Sequence, residues 1–374
     1  MKIAVNTRLL LKNKLEGIGW FTFESLKRIV SAHPNDEFYF IFDRPYSQEF
    51  IFADNVKPIV VGPPARHPVL HYIWYEISIP IVLRKIKPDV FVSPDAYLSL
   101  SSKYTDLIVI HDLNFEHYPE HMPWLARKFY THFTPKYAKK ANRIATVSEF
   151  SKQDIVKQYG VSPDKIDVVF NGSNDFFKPL NEKQVELTKE KYSEGCDFFV
   201  FVGALNPRKN LQNIFQAFDK FKDNHKTNTK FVVVGLKMYW SEEIKAVYNN
   251  MNHSSDVIFT GRLEPDELSS VVGSALALVY TSFFEGFGIP IIEAYNAEVP
   301  VITSNVTSMP EIAGDAALLV DPSNIDQITN AMYLVSTDEL LCNELIEKGR
   351  VRREYFSWEK TAENLWQSIL KTRD

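Results

Sequence analysis

Hydrophobic residues along this chain are gathered into short continuous runs, and helix-length segments separate one run from the next. Most runs are uninterrupted Val, Ile, Leu and Phe, without the alternation of a half-exposed strand. Such runs are typical of strands covered by helices on both faces, and strands that alternate with helices form parallel sheets. We therefore predict an α/β protein with strands at 2–5, 37–42, 57–61, 90–93, 107–111, 143–147 and 167–170, and again at 197–203, 230–235, 257–260, 275–280, 299–303 and 317–320.

The pattern of strands and helices starts twice. The most polar interval between strong strands runs over 173–195 and contains the charged stretch 182–194. A boundary there predicts an N-terminal Rossmann-like domain at 1–174 and a C-terminal Rossmann-like domain at 175–353. The last segment, 354–374, is predicted to form a helix, because Ser357 is a suitable N-cap and the apolar residues after it have helical spacing. We expect a ligand in the crevice between the two domains, at the carboxyl ends of the strands.

Composition and charge fit a globular protein with a sizeable core. Of the 374 residues, 45% are hydrophobic and 24% are charged, which is close to the globular average. The net charge is −5, so we expect no nucleic-acid partner. The charge is uneven, because residues 1–174 hold 22 Lys and Arg against 18 Asp and Glu, whereas residues 175–374 hold 20 against 29. The two cysteines, Cys196 and Cys342, exclude a disulfide scaffold and a cysteine-based zinc site, and they are typical of a reducing cytosol.

The most informative segment is 280–294, which reads Tyr-Thr-Ser-Phe-Phe-Glu-Gly-Phe-Gly-Ile-Pro-Ile-Ile-Glu-Ala. A buried strand runs into a loop whose glycines, Gly286 and Gly288, allow a ligand to approach the backbone closely. Pro290 suits the first turn of a helix, and a helix N-terminus favours phosphate. Glu285 and Glu293 supply carboxylates that accept hydrogen bonds from pairs of hydroxyls. The segment therefore predicts a sugar-nucleotide site, with a simple turn carrying solvated glutamates as the alternative.

The spacing of Glu285 and Glu293 resembles the signature of retaining glycosyltransferases of family GT4, which have the GT-B fold. Further matching blocks follow in the family order, at 17–19, 110–113, 146–151, 171–172, 203–210, 260–262, 304–305, 310–311 and 314–317. The resemblance implies two Rossmann-like domains whose parallel sheets face each other across a crevice. It also implies that domain 1–174 binds the acceptor, that domain 175–353 binds the nucleotide sugar, and that the helix in 354–374 crosses back to the N-terminal domain.

The resemblance assigns roles to residues of the C-terminal domain. Glu285 would hold the hydroxyls of the donor sugar, and Glu293 would bind the ribose. Backbone amides at Phe287, Gly288 and Ile289, after Gly286, would line the sugar and diphosphate pocket. Gly261 and Arg262 would lie near the base or the phosphates, although a surface salt bridge explains Arg262 equally well.

The resemblance also assigns cations to the diphosphate and a histidine to the donor sugar. Many members of the family have an arginine directly after the glycine that matches Gly203, where this chain has Ala204. Arg208 would supply the missing charge, and Lys209 matches the family lysine. In the N-terminal half, His111 would contact the donor sugar at the end of a strand, and Gly17 would begin a tight glycine loop before a helix at 20–29.

Motifs for other chemistry are absent from the sequence. It contains no Asp-x-Asp pair, no His-Glu-x-x-His, no Walker A loop and no Gly-x-Ser-x-Gly elbow. We therefore expect no metal and no cofactor other than a GDP- or UDP-linked sugar as co-substrate. Cations and helix dipoles would stabilise the leaving diphosphate.

Two segments of the N-terminal half, 67–87 and 124–143, mix aromatic residues with Lys and Arg. Basic amphipathic helices can lie on anionic membranes, and the alternative is a helix packed on the sheet with a solvated basic face. The chain opens with an apolar run too brief for a signal peptide, and no run of about 18 apolar residues predicts a spanning helix. We expect a cytoplasmic protein, and peripheral contact with the inner face of the plasma membrane stays open.

These observations predict a retaining hexosyltransferase. Overall similarity to bacterial O-antigen and polysaccharide mannosyltransferases favours GDP-mannose as the donor, and a glycan or a polyprenyl-diphosphate-linked oligosaccharide as the acceptor. Two alternatives are a nucleotide-sugar epimerase of the same fold and a non-catalytic subunit that binds nucleotide sugars.

Overall fold

The computed structural model describes residues 1–236 and 240–373. The chain divides into two compact units. The first unit comprises Met1–Gly172 and the C-terminal segment that begins at Trp358, and the second comprises Ser173–Ser357. The boundaries of the units therefore fall at 172–173 and 357–358. Among the described residues, no helix is long and apolar enough to cross a membrane.

The first unit is built on a parallel sheet of seven strands. The order across the sheet is β3-β2-β1-β4-β5-β6-β7. Pro58 lies in the edge strand β3, where a missing N–H is tolerated. The strands are β1 (Lys2–Asn6), β2 (Glu37–Phe42), β3 (Val56–Val60), β4 (Val90–Ser93), β5 (Asp106–Ile110), β6 (Arg143–Thr146) and β7 (Ile166–Val168).

Helices cover this sheet, and the last helix of the chain belongs to the same unit. The helices are α1 (Gly17–Ala32), α2 (Pro68–Ile73), α3 (Ile79–Ile86), α4 (Asn114–His117), α5 (Trp124–Lys140), α6 (Glu149–Tyr159) and α15 (Trp358–Leu370). A π-helical turn, Trp74–Ser78, joins α2 and α3 without a break. The ring of Trp366 in α15 stacks on His33, just after α1, at 3.7 Å between centroids. Short 3₁₀ turns lie at Gln48–Phe50, Pro119–His121, Pro163–Lys165 and Lys371–Arg373.

The second unit has a parallel sheet of six strands in the order β10-β9-β8-β11-β12-β13. The strands are β8 (Phe198–Val202), β9 (Lys230–Val234), β10 (Val257–Gly261), β11 (Ala277–Tyr280), β12 (Val301–Ser304) and β13 (Leu318–Val320). The helices are α7 (Glu182–Ser193), α8 (Leu211–His225), α9 (Glu242–Asn249), α10 (Pro265–Gly273), α11 (Ile289–Asn296), α12 (Met309–Ala313), α13 (Ile325–Thr337) and α14 (Glu339–Arg353). Two 3₁₀ turns lie at Pro207–Lys209 and Ser254–Asp256.

Each sheet contains a point at which the chain reverses the direction in which it adds strands. This switch point lies between β1 and β4 in the first unit and between β8 and β11 in the second. Loops that leave the carboxyl ends of such neighbouring strands diverge, and the gap between them is where α/β proteins bind ligands. The prediction of two parallel α/β sheets is therefore confirmed, and the topology adds where in each sheet a site belongs.

The prediction of a glycine loop at 17–19 is wrong. Gly17 is the first residue of α1, and Glu16 is its N-cap. Gly19 is buried, and a Cβ there would lie 3.1 Å from the carbonyl oxygen of Leu9. Gly19 therefore allows the helix to pack closely against the preceding loop. The helix begins at Gly17, three residues earlier than predicted.

Candidate active site

A cluster of three charged side chains lies at the switch point of the second unit. The 3₁₀ turn after β8 carries Arg208 and Lys209, and the loop after β11 carries Glu285. The Arg208 guanidinium lies 2.8 Å from Glu285 Oε2, and Lys209 Nζ lies 2.6 Å from Glu285 Oε1. The sequence assigned Arg208 and Lys209 to the diphosphate of the donor and Glu285 to its sugar. The structure brings all three side chains into one cluster.

The cluster is buried and carries one net positive charge. Lys209 and Glu285 are each less than a tenth exposed. Burial by itself raises the pKa of Glu285, but the charges and hydrogen bonds of Arg208 and Lys209 outweigh burial and lower the pKa to about 2. Lys209 also donates to the Tyr280 hydroxyl, and its ammonium lies 4.7 Å from the centroid of the Tyr280 ring. The carboxylate is therefore ionised, and the lysine is held from two sides.

Hydroxyl groups of the neighbouring strand and helix fix the loop that bears Glu285. Ser308, just before α12, donates to the backbone oxygens of Glu285 and Phe287, both at 2.9 Å. Ser304, at the end of β12, donates to the backbone oxygen of Ser282 at 2.6 Å. Sequence reasoning missed Ser304 and Ser308. The available signal was small polar residues at the end of a buried strand and just before the next helix.

The second predicted carboxylate, Glu293, lies on α11 in a different environment. Gly288 is the N-cap of α11 with a φ of 108°, a conformation that favours glycine. Glu293 lies one turn further along and is 9% exposed. Among the described residues, none forms a hydrogen bond or an ion pair with its carboxylate. Burial therefore raises its pKa to about 8.

Glycines allow the carboxyl ends of β8, β9 and β10 to lie close together. Gly203 N donates to Val234 O, and Gly235 N donates to Gly261 O, both at 2.9 Å. A Cβ on Gly235 would lie 1.9 Å from the carbonyl oxygen of Gly203, so only glycine fits. Gly261 has a φ of 72° and precedes the exposed Arg262. These positions surround the same end of the sheet as the charged cluster.

Two of the predicted residues, Gly17 and His111, belong to the first unit. His111 follows β5, and its Nε2 lies 2.9 Å from the carbonyl oxygen of Pro94. The Phe21 ring packs edge-on against it, with 5.0 Å between centroids. Burial lowers the pKa of His111, so the neutral ring donates from Nε2 to that carbonyl.

A polar cluster that the sequence did not reveal occupies the switch point of the first unit. Arg8, after β1, forms an ion pair with Asp95, after β4, and both are buried. Asn6 donates to Asp95 Oδ1 and to the Tyr75 hydroxyl, both at 2.7 Å. The Arg8 guanidinium lies 5.1 Å from the centroid of the Tyr97 ring. These residues are far apart in sequence and none belongs to a recognisable motif, so only the fold brings them together.

No group of three or more His, Cys, Asp and Glu residues suited to a metal ion occurs within 1–236 and 240–373. At the two switch points, Asp95 is paired with Arg8, and Glu285 is paired with Arg208 and Lys209. Each of these carboxylates therefore has a cation as its partner, and within the described residues neither joins a group that could share a metal ion.

Comparison with known proteins identifies the class. The sequence model described as "Glycosyl transferases group 1" matches residues 182–352, and the model described as "Glycosyltransferase Family 4" matches residues 28–175. Together they span most of both units. The chain is therefore a glycosyltransferase, with a family-4 domain in its N-terminal half and a group-1 domain in its C-terminal half. This selects the transferase among the three functions that the sequence left open.

Its relatives include enzymes of O-antigen synthesis. O-antigen chain mannosyltransferase B of Escherichia coli is 24% identical over 370 residues, which is 96% of this chain and 97% of that protein. O-antigen chain mannosyltransferase RfbU of Salmonella typhimurium is 29% identical over 236 residues, covering 60% of this chain and 62% of that protein. The structure of Anabaena HepE in complex with UDP-glucose is 14% identical, with a TM-score of 0.77 over 99% of this chain and 100% of that one. The structural similarity shows that the fold is GT-B.

Proposed function

We propose that the second unit binds a nucleotide sugar at its switch point and that the enzyme transfers the sugar with retention of configuration. The observation that carries the proposal is the buried cluster of Arg208, Lys209 and Glu285 beside the N-terminus of α11, with Glu293 one turn inside that helix. One net positive charge and a helix N-terminus suit a diphosphate, and a single buried carboxylate suits a pair of hydroxyls.

The cations stabilise the diphosphate as it leaves. When the bond between the anomeric carbon and the diphosphate breaks, negative charge grows on the departing oxygen. Lys209 is already ordered by Tyr280 and Glu285, so it stabilises that charge without reorganising. An acceptor hydroxyl forms the new bond to the anomeric carbon, and its proton passes to the departing diphosphate. The positive charge that develops on the sugar is favoured by the ionised Glu285.

Glu293 binds the ribose in this proposal. Its carboxylate has no partner among the described residues and is nearly enclosed. Two adjacent hydroxyls donate to one carboxylate, and they stabilise its charged form. Donor binding then lowers the raised pKa of Glu293. At any pH at which the free enzyme keeps this carboxyl neutral, donor binding therefore releases a proton.

GDP-mannose is the leading donor, because the relatives named for O-antigen synthesis are mannosyltransferases. The acceptor is a glycan or a polyprenyl-diphosphate-linked oligosaccharide. We place its binding on the first unit, where Arg8, Asp95 and Asn6 form a polar base beside the Tyr97 ring. Sugars present hydroxyls to such groups and C–H faces to aromatic rings.

Two measurements test the proposal on the full chain. Thermal unfolding is followed with GDP-mannose, UDP-glucose and dTDP-glucose, because a ligand at a hundred times its Kd stabilises by roughly 2.7 kcal/mol. The donor that raises Tm is then incubated with a mannose-terminated acceptor, and the anomeric configuration of the product is read by NMR. We expect GDP-mannose to stabilise most and the product to keep the α configuration. Stabilisation by no nucleotide sugar would refute the site, and an inverted product would refute retention.

A further inference from the structure

The first unit exposes an unusual concentration of large apolar side chains on two packed helical segments. The segments are the continuous helix formed by α2, the π-helical turn and α3, and helix α5. Of the fourteen strongly exposed large apolar side chains among the described residues, six lie here: Val69, Tyr72, Ile77, Ile81, Trp124 and Leu125. The two segments contact each other through the rings of Tyr72 and Phe133, whose centroids are 5.9 Å apart.

The exposed aliphatic residues of the first segment follow one row of the helix, which also contains the half-buried Ile73. Val69, Ile73, Ile77 and Ile81 are spaced by four, and Lys85 continues the row. Ile77 is 52% exposed and Ile81 is 44% exposed, while their neighbours Trp74, Tyr75 and Ile79 face the core. The helix thus has one apolar face buried in the unit and a second one exposed, although burial of one face already satisfies its packing.

The two segments carry many exposed basic residues and a single carboxylate. The first segment has one carboxylate, Glu76, which accepts the backbone N–H groups of Leu100 at 2.7 Å and Ser101 at 3.2 Å. Helix α5 contains no Asp or Glu. The exposed cations of the two segments are Arg84, Lys85, Arg127, Lys128, Lys136 and Lys139. This local positive charge stands against a net charge of −5 for the chain.

Two of these cations lie against aromatic rings. Lys128 Nζ is 5.2 Å from the centroid of the Trp124 ring, and Lys136 Nζ is 5.6 Å from that of Phe133. Lysine with an aromatic ring is a combination typical of the membrane interface, where the ring lies among headgroups and the ammonium reaches lipid phosphates.

We propose that the first unit docks onto an anionic lipid bilayer through this basic apolar face, which comprises Val69, Tyr72, Ile73, Ile77, Ile81, Trp124 and Leu125 with the six exposed cations. The apolar row enters the boundary between headgroups and acyl chains, and the cations bind lipid phosphates. Charge complementarity favours anionic lipid over a protein partner, because exposed aliphatic residues together with six exposed cations match a continuous negative surface. The proposal is independent of the donor assignment, which concerns the second unit.

The test is co-sedimentation of the full chain with vesicles. One set of vesicles contains phosphatidylglycerol and phosphatidylcholine, and the other contains phosphatidylcholine alone. The apolar variant is Ile77→Gln with Ile81→Gln, and its matched control is Leu340→Gln with Val351→Gln, two exposed apolar positions on α14 of the second unit. The charge variant is Arg84→Gln with Lys85→Gln, matched by Lys183→Gln with Lys245→Gln.

We expect the wild-type chain to bind the anionic vesicles and to bind the neutral ones much more weakly. The apolar variant should lose on the order of tenfold in partitioning for each residue changed, while both controls bind as wild type. The charge variant should bind more weakly, and added salt should weaken the wild-type chain toward the same level. Failure of the wild-type chain to sediment with anionic vesicles, or unchanged binding by the apolar variant, would overturn the proposal. Light scattering that shows a wild-type dimer and a monomeric apolar variant would instead assign the face to a second copy of the chain.

Discussion

Replacing Glu293 with glutamine should stabilise the protein near neutral pH. Burial raises the pKa of Glu293 from 4.5 to about 8, so the folded chain prefers the neutral carboxyl and the unfolded chain does not. A raised folded pKa favours folding at low pH, and this advantage is lost as pH rises from about 4.5 to about 8. Since each pKa unit corresponds to roughly 1.4 kcal/mol, this difference in pKa lowers the stability of the unliganded fold by about 3 kcal/mol at pH 7 and by about 5 kcal/mol well above pH 8. Glutamine keeps the shape and removes this cost.

The assay is urea unfolding of the wild-type chain, Glu293→Gln and the control Glu186→Gln, at about pH 5, 7 and 8.5. Glu186 is an exposed residue on α7 in the same unit. The stabilisation by Glu293→Gln should be small at the lowest pH and grow to a few kcal/mol at the highest, while the control stays flat. The variant should also bind the donor more weakly, since an amide accepts hydroxyl donors less strongly than a carboxylate. A stability difference that does not change with pH would refute the reasoning about this buried carboxyl.

Three further results are expected. Tyr280→Phe should lower kcat about tenfold with little change in donor KM, because Lys209 loses the hydroxyl that orders it; equal losses in kcat and affinity would mean that Tyr280 is only structural. Gly235→Ala should destabilise the folded protein by about 1–3 kcal/mol, since the new Cβ would lie 1.9 Å from Gly203 O. Gly17→Ala should leave stability unchanged or raise it, because a Cβ at Gly17 has open space around it. Chemical denaturation of the two variants measures the difference. Transfer should continue in EDTA, and abolition by EDTA with rescue by Mg²⁺ would contradict a mechanism that depends on protein cations.

The sequence predicted the sheets well because their strands are continuous apolar runs. The observed strands correspond to the thirteen predicted runs, with ends that shift by up to two residues. Strand order could not be read from composition, since β1 and β4, or β8 and β11, are neighbours through crossovers that the sequence does not encode locally. The helix start at Gly17 was missed because two glycines resemble a loop, whereas here one of them provides room for close packing.

The candidate site was predictable where local sequence carries it. Glu285, Glu293 and Lys209 lie in short recognisable segments, and the structure places them at one end of one sheet. The ion pairs of Glu285 with Arg208 and Lys209 were not predictable, because they join positions more than seventy residues apart. For the same reason the Arg8–Asp95 cluster was invisible before the fold was known. The pKa values of Glu285 and Glu293 also differ because of their neighbours in the fold. Two cations lower the pKa of Glu285, and burial without a partner raises that of Glu293, although both residues are glutamates.

The most direct test of the account measures transfer by Lys209→Ala. The donor is the nucleotide sugar that stabilises the wild-type chain most, and the control is Lys183→Ala, an exposed lysine of the same unit. Initial rates of nucleotide release are measured with acceptor present, over a range of donor concentrations. If Lys209 stabilises the leaving diphosphate, its loss should lower kcat/KM on the order of a hundredfold, mostly through kcat, as for other preorganised charge contacts. The control should match wild type. A Lys209→Ala enzyme that is folded and transfers sugar at the wild-type rate would contradict the assignment of the switch-point cluster as the catalytic centre.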